Sequence, residues 1–327
     1  MTVKPVFTEA APVERPDDLP EAGGFLADAL AGLSKPQKEL PAQYFYDAAG
    51  SDLFEAITTL PEYYPTRTEL GILDAAGPEI AALLPARGAL VEFGSGSTVK
   101  LRRLLRHRPD LSVYVPVDVS AEFLHSEAKA LRADMPDLRV EPVAADFTRP
   151  FALPGDLADL PKAGFFPGST IGNFEPAQAA ALLARFGRVL GSGAILIVGV
   201  DLVKDRTVLE RAYDDAAGVT ARFNLNLLTR MNRELGADFD AARFRHRAVF
   251  NADASRIEMH LVSRAAQSVS LAARSFAFAE GESIHTENSY KYTPEGFRAL
   301  AAQAGWSPVA IWTDPQALFS VHALRRD

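Results

Sequence analysis

Two carboxylates and a glycine turn stand at spacings that suit a nucleoside ligand. Val91-Glu92-Phe93-Gly94-Ser95-Gly96-Ser97 runs from an apolar stretch into small residues, and Asp118 closes the next apolar stretch, 24 residues after Gly94. Glycines at a strand-to-helix turn let the backbone approach a ligand closely. An acid about 20 residues further on can accept hydrogen bonds from ribose hydroxyls. A dinucleotide fingerprint wants a third glycine, but position 99 is Val. That glycine normally lets helix and strand close around a pyrophosphate. Its absence, with acidic Glu92 just ahead of the turn, favours a cofactor without phosphate, such as S-adenosylmethionine. Asp146-Phe147 follows the third apolar stretch, where an acid meets the adenine amino group and an aromatic ring its face. Singly, each feature has a plainer reading as loop closure, helix cap or core. Their common register favours the cofactor.

The elements that must hold these residues alternate between two periods. Ala89–Phe93, Ser112–Val117, Arg139–Ala144, Gly164–Phe166 and Ala194–Val200 read as strands, and the last is apolar throughout, as in a strand buried on both faces. Between them lie helical patterns at Leu101–Arg108, from an N-cap at Ser120 to about Met135, and at Glu175–Leu190 with Pro176 in its first turn. Strands joined by helical crossovers imply a parallel, doubly wound sheet. After Asp201 the pattern changes. Helices near Thr207–Asp215 and Thr220–Leu235 precede alternating segments at Arg247–Phe250, Arg256–Val262 and Ser275–Phe278, which read as antiparallel. A helix at Pro294–Ala304 and strands near Ala310–Thr313 and Leu318–His322 then return to the main sheet. The fold class is therefore α/β, with a Rossmann-like sheet and a second α+β lobe. Residues 1–24 read as an extended arm.

Composition narrows the chemistry. The 327 residues carry 34 basic and 42 acidic side chains, a net charge of −8 that repels a nucleic-acid backbone on average. The basic run Lys100–Arg108 has leucines at helical spacing and reads as the solvated face of a helix. There is no cysteine, which fits a reducing compartment and removes thiolate metal sites. The six histidines never fall at i, i+3 or i, i+4, so no helical metal-ligand pair is expected. No G-x-S-x-G elbow or phosphate-binding P-loop is present. The expectation is a cytoplasmic monomer with no membrane or nucleic-acid partner.

Longer stretches resemble one family, the histidine-specific N-alpha-methyltransferases that form hercynine for ergothioneine biosynthesis. They include YFYDAAGSDLFEAITTLPEYYPTRTE, VEFGSGSTVK, PVDVS, AADF, PGSTIGNFEP, DLVKD, AYDDAAGVTARFNLNLL, NRELGADF, IEMHL and HTENSYKYT, in order from about residue 43 to 293. The resemblance implies a class I methyltransferase sheet over 67–200 and 292–327. It implies a substrate lobe built from 1–66 and the insertion 201–291. It implies cofactor contacts from Tyr46, Gly94, Lys100, Asp118, Asp146 and Phe147, with Lys100 on the methionine carboxylate. For L-histidine it implies Tyr63, Gly168, Asn173, Tyr213, Met259, Glu287 and Ser289, and among all of these Tyr46 and Asn173 as catalytic. Tyr63, Asn173 and Tyr213 suit the amino acid's carboxylate and amine, Glu287 an imidazole N–H, and Ser289 the other ring nitrogen. The loop reads Ser97-Thr98 where the family pattern has Thr-Ser, which keeps two hydroxyls.

The implied reaction is in-line attack of the α-nitrogen on a sulfonium methyl, accelerated chiefly by positioning. Tyr46 and Tyr63 present aromatic faces to an ammonium that gains methyl groups. Three alternatives compete: the same fold acting on tryptophan, a nicotinamide dehydrogenase, and a non-catalytic ligand-binding protein. Met259 and Glu287 count against the first, since an indole has one donor and more bulk. The missing third glycine counts against the second.

Overall fold

The computed structural model of the protein describes residues 22–96 and 98–327. The chain opens with α1 (Ala22–Leu33), β1 (Lys38–Glu39), α2 (Ala48–Thr58) and α3 (Tyr64–Ala82). An alternating run follows: β2 (Ala89–Phe93), α4 (Val99–Leu105), β3 (Val113–Asp118), α5 (Ala121–Asp134), β4 (Arg139–Val140), β5 (Val143–Ala144), β6 (Lys162–Phe166), α6 (Pro176–Leu190) and β7 (Ile195–Asp201). Then come α7 (Arg206–Tyr213), α8 (Val219–Leu235), β8 (Phe244–Asn251), β9 (Arg256–Ser263), β10 (Gln267–Leu271), β11 (Arg274–Phe278) and β12 (Ser283–Tyr290). The chain closes with α9 (Pro294–Gln303), β13 (Trp306–Thr313) and β14 (Phe319–Arg326).

The main sheet has the order β13-β14-β7-β6-β2-β3-β4, with β5 also on β3. β4, β5, β3, β2, β6 and β7 run parallel, while β14 lies antiparallel between β7 and β13. This is the doubly wound, largely parallel sheet that the alternating strands and helices imply. Alternate residues of β2 are buried on opposite faces of the sheet. Ala89, Val91 and Phe93 pack with Phe186 of α6 and Phe297 of α9, whereas Leu90 packs with Leu73 of α3 and Leu101 of α4. Burying each such large side chain stabilises the fold by about 1.5–3 kcal/mol. Strand order reverses between β2 and β6, so the carboxyl ends of β2, β3 and β6 open a crevice there.

The second sheet, β1-β12-β9-β8, is antiparallel except for the pairing of β1 with β12. Its core joins Phe25, Tyr44, Phe45, Phe223, Leu227 and Met259, so α1, the turn at Ala42–Phe45 and α8 share one interior with residues from beyond position 250. Helix starts are marked chemically. The Asp47 carboxylate accepts from Gly50 N at 2.7 Å, and Asp205 accepts from Thr207 N at 2.8 Å. Thr293 accepts from Gly296 N at 3.0 Å, with Pro294 following it.

Three expectations change. Arg139–Ala144 is not one strand but two short ones, because Pro142 has no N–H to give the ladder. Ser120 does precede α5, yet its side chain makes no capping bond. Of the arm read over 1–24, residues 1–21 lie outside the described residues, and Ala22–Gly24 begin α1.

Candidate active site

At the carboxyl end of β2, Gly94 adopts φ +72°, a conformation that penalises any side chain. Its N–H and that of Ser95 both donate to Val117 O, at 2.8 and 3.2 Å, which ties the turn to the end of β3. A methyl group on Gly94 would come within 3.2 Å of the Phe147 ring, so the glycine and that ring share one wall. Phe147 rests edge-on against Phe166, centroids 5.8 Å apart. Asp118 Oδ1 accepts from Ser120 N at 3.1 Å, and Asp146 Oδ1 accepts from Thr148 N at 2.8 Å. Burial pushes the Asp118 carboxyl up, against the N–H groups of Ser120 and Val119. The turns after β2, β3 and β5 thus bring Gly94, Asp118, Asp146 and Phe147 to one edge of the sheet. Ser97 lies outside the described residues.

Glu92 stands one residue inside this turn and is buried. Burial pushes its carboxyl up to about 7, although Tyr114 Oη donates to it at 2.5 Å and Lys100 draws it down. Lys100 itself is ion-paired with buried Glu69 of α3 at 2.7 Å. Glu69 also accepts the Gly168 N–H, at 2.9 and 3.0 Å to its two oxygens. The sequence reading assigned Lys100 to a ligand carboxylate and gave Glu69 no role. In the structure a protein carboxylate already holds that lysine beside Gly168.

The residues expected on the substrate side come from distant parts of the chain. Gly168 and Ser169 take consecutive positive φ values of 80° and 57° after β6, and the chain then coils through a short 3-10 turn, Thr170–Asn173. Asn173 is exposed at the end of that turn. Tyr63 and Tyr213 meet edge to face, with centroids 6.2 Å apart, and both are almost wholly buried. On β12, a bulge between His285 and Glu287 resets the pleat, so that Glu287 lies directly opposite Met259 of β9. Met259 is buried and Glu287 only partly so. Burial pushes the Glu287 carboxyl up to about 7, with Lys291 opposing.

Tyr46 leaves 47% of its surface exposed and packs edge-on against Phe54 and Phe223. Its hydroxyl is held protonated by desolvation first, then by the fields of Glu287, Tyr63, Tyr213 and Asp118. Burial likewise pushes the Tyr63 and Tyr213 hydroxyls well up.

Behind these groups lies a buried polar network that the sequence reading missed. Asp201, fully buried at the end of β7, accepts from Tyr64 Oη at 2.8 Å, from Lys204 at 2.5 Å and from Lys291 at 2.7 Å. Burial alone would push Asp201 up, but Lys291 and Lys204 outweigh it and hold the carboxyl below its ordinary value. Lys291 continues to Tyr213 Oη at 2.9 Å and Ser289 Oγ at 2.8 Å, which are 2.8 Å from each other. The signal for it was an acid directly after an all-apolar strand, which needs a partner if buried. Nearby, Asn224 Nδ2 donates to His246 Nδ1 at 2.9 Å, and His246 Nε2 donates to Tyr213 O at 2.8 Å. That fixes a neutral imidazole under the Tyr213 backbone, in line with the lowering of its pKa by burial.

Sheet register also gathers Glu258, His260 and His285, a grouping that helical spacing could not reveal. Its carboxylate is already held by Arg256 at 2.8 Å and Asn251 at 2.9 Å.

A family model described as "Histidine-specific methyltransferase, SAM-dependent" matches residues 25–326. The chain belongs to this family. Histidine N-alpha-methyltransferase of Mycolicibacterium smegmatis is 46% identical over 90% of this chain and 92% of its own. The protein of that name from Mycobacterium tuberculosis is 42% identical, over 93% and 96%. Ergothioneine biosynthesis protein 1 of Neurospora crassa is 28% identical over 88% of this chain but only 34% of its own length. The protein is thus an S-adenosylmethionine-dependent methyltransferase of the histidine-specific family. Among the described residues no helix is long and apolar enough to cross a membrane.

Proposed function

We propose that the enzyme methylates the α-amino nitrogen of L-histidine three times to give hercynine, a step toward ergothioneine, as a cytoplasmic monomer. The observation that carries the reading is Glu69, whose one carboxylate holds both Lys100, expected at the cofactor, and the N–H of Gly168, expected at the substrate. A methyl donor on the Lys100 side and an amino acid on the Gly168 side would meet beside that carboxylate.

The residues fit S-adenosylmethionine. Gly94 leaves an open backbone wall next to the Phe147 ring, and Asp118 is partly buried with acceptor capacity to spare beyond its bond to Ser120. When bound, the cofactor supplies an electrophilic methyl group. Asp118 would accept from the ribose hydroxyls, Asp146 from the adenine amine, and Phe147 would cover the ring. Lys100 would take the methionine carboxylate while still held by Glu69.

For the substrate, Asn173, Tyr63, Tyr213 and the Gly168 turn would hold the carboxylate and amine. Glu287 would accept a ring N–H, Ser289 would serve the other ring nitrogen, and buried Met259 would bound the ring. Raised pKa values make Tyr46, Tyr63 and Tyr213 hydrogen-bond donors at neutral pH, not bases. The amine's proton therefore leaves to water before each transfer. Tyr46 and Tyr63 would stabilise the increasingly methylated ammonium through their ring faces.

Mass spectrometry of the purified protein with S-adenosylmethionine and each common amino acid in turn tests this. A gain of three methyl groups on histidine alone is expected. Gain on tryptophan instead would keep the methyltransferase and discard the Glu287 pocket.

A further inference from the structure

Two ammonium groups share one buried carboxylate behind the substrate pocket. Lys204 and Lys291 both contact Asp201, and the Lys291 side chain is 0% exposed. Asp314 and Glu287 act on these lysines only through space. Asp314 is itself held by the N–H groups of Gln316, Leu318 and Phe319. In direct contact, then, the cluster holds one positive charge more than its carboxylate cancels. An uncompensated buried charge is costly unless something nearby offsets it.

The bonding of Lys291 says where that charge is felt. An ammonium has three N–H donors, and all three are committed, to Asp201, Tyr213 Oη and Ser289 Oγ. Both hydroxyl oxygens accept from Lys291, and they share one hydrogen between them at 2.8 Å. Two hydroxyls carry two hydrogens, so one is left to point out of the cluster. The ring of Tyr213 lies beneath the same ammonium, 4.7 Å from Nζ to its centroid. An anionic acceptor is the partner that best completes such a cluster.

We infer that Lys291 is a positioning residue for the substrate's carboxylate, acting through Tyr213. The inference rests on the reading of the substrate as an α-amino acid. The carboxylate is the strongest acceptor such a molecule brings, so it draws the outgoing hydrogen from Tyr213. Ser289 then donates to Tyr213 Oη and keeps a lone pair for the second N–H of an imidazolium ring whose first N–H Glu287 accepts. Lys291 touches neither the substrate nor the transferred methyl; it fixes hydrogen-bond direction and places positive charge behind the phenol.

The test compares L-histidine with L-histidinamide, which lacks the anionic carboxylate, in wild type, Lys291→Met and Tyr213→Phe. Wild type should prefer histidine. Lys291→Met should lower kcat/KM for histidine about 30-fold, mostly through KM, and for histidinamide less than about threefold. The dissociation constant of S-adenosylmethionine should stay within about twofold, because the cluster lies behind the other ligand. Equal losses on both substrates would reduce Lys291 to a structural residue and overturn the proposal. Should Lys291→Met not fold, Tyr213→Phe keeps the buried pair intact and must erase the preference for histidine. A preference that survives Tyr213→Phe would equally overturn it. Wild type that methylates neither compound, while still binding cofactor, would reject the histidine reading itself and this inference with it.

Discussion

The two halves of the site are held in opposite ways. On the cofactor side each acid is held by backbone two residues onward, Asp118 by Ser120 N and Asp146 by Thr148 N. On the substrate side the partners are far apart in the chain. Tyr64 and Asp201 are separated by 137 residues, and Lys291 and Tyr213 by 78. The first half is a series of strand-to-helix turns that one sheet presents in order. The second exists only once α3, β7, α7 and β12 have closed around a single carboxylate. A local turn can bind a cofactor shared by many reactions, whereas choosing one amino acid takes buried groups drawn from several elements.

Substitutions on each side should separate the two jobs. The largest effect is expected from Asp118→Ala, which removes the acceptor for a ribose diol. Cofactor affinity should fall about 100-fold, near 2.7 kcal/mol, as measured by titration calorimetry. A loss below about threefold would mean the turn after β3 is only a helix start. Next comes Glu287→Ala. Histidine KM should rise about 30-fold, because the imidazole loses a charged acceptor, while cofactor affinity holds within about twofold. An unchanged KM would move the ring elsewhere and dissolve the division between the halves.

The smallest effect sharpens the contrast through pH. The Glu287 carboxyl is pushed up to about 7 in the folded chain, from an ordinary value of 4.5, chiefly by burial. Between those values the folded state keeps a proton that the unfolded state has lost, so this group's contribution to stability falls as pH rises from about 4.5 through 7. Glu287→Gln removes the titration and should stabilise the protein by about 1–2 kcal/mol at pH 8, with the difference vanishing near pH 4.5. Denaturant melts at both pH values would show it. Wild type and variant with the same offset at both would mean the carboxyl is not held in a desolvated pocket.

The cofactor side was legible for the reason it is robust. Gly94, Asp118 and Asp146 follow apolar runs at a regular interval, and period-two and period-3.6 patterns place such runs without tertiary information. The helices α1, α2 and α3 were not read, although Asp47 and Pro65 mark the starts of the latter two. The apolar positions of α1 and α2 serve a second core whose other wall is β9 and β12, so they have no neighbouring strand to set them in context, whereas α3 packs Ile72, Leu73 and Ile80 on the main sheet. The residues proposed for the substrate, such as Tyr213, Met259 and Glu287, came from long family-like stretches rather than from spacing. Nothing local distinguishes them from core or surface.

By itself, the sequence determined the parallel sheet, the glycine turn after β2, and the family. The sheet and the turn follow from periodicity, glycines after an apolar run and acids at strand ends between Gly94 and Asp146, and the family from long matching stretches over about residues 43 to 293. Tertiary structure alone decided that Glu69 holds Lys100, that a bulge at His285 sets Glu287 opposite Met259, and that Lys291 reaches Asp201 and Tyr213 together. The physical reason is burial. A charge taken out of water must find its partner in space, and the chain can supply that partner from any distance along its length.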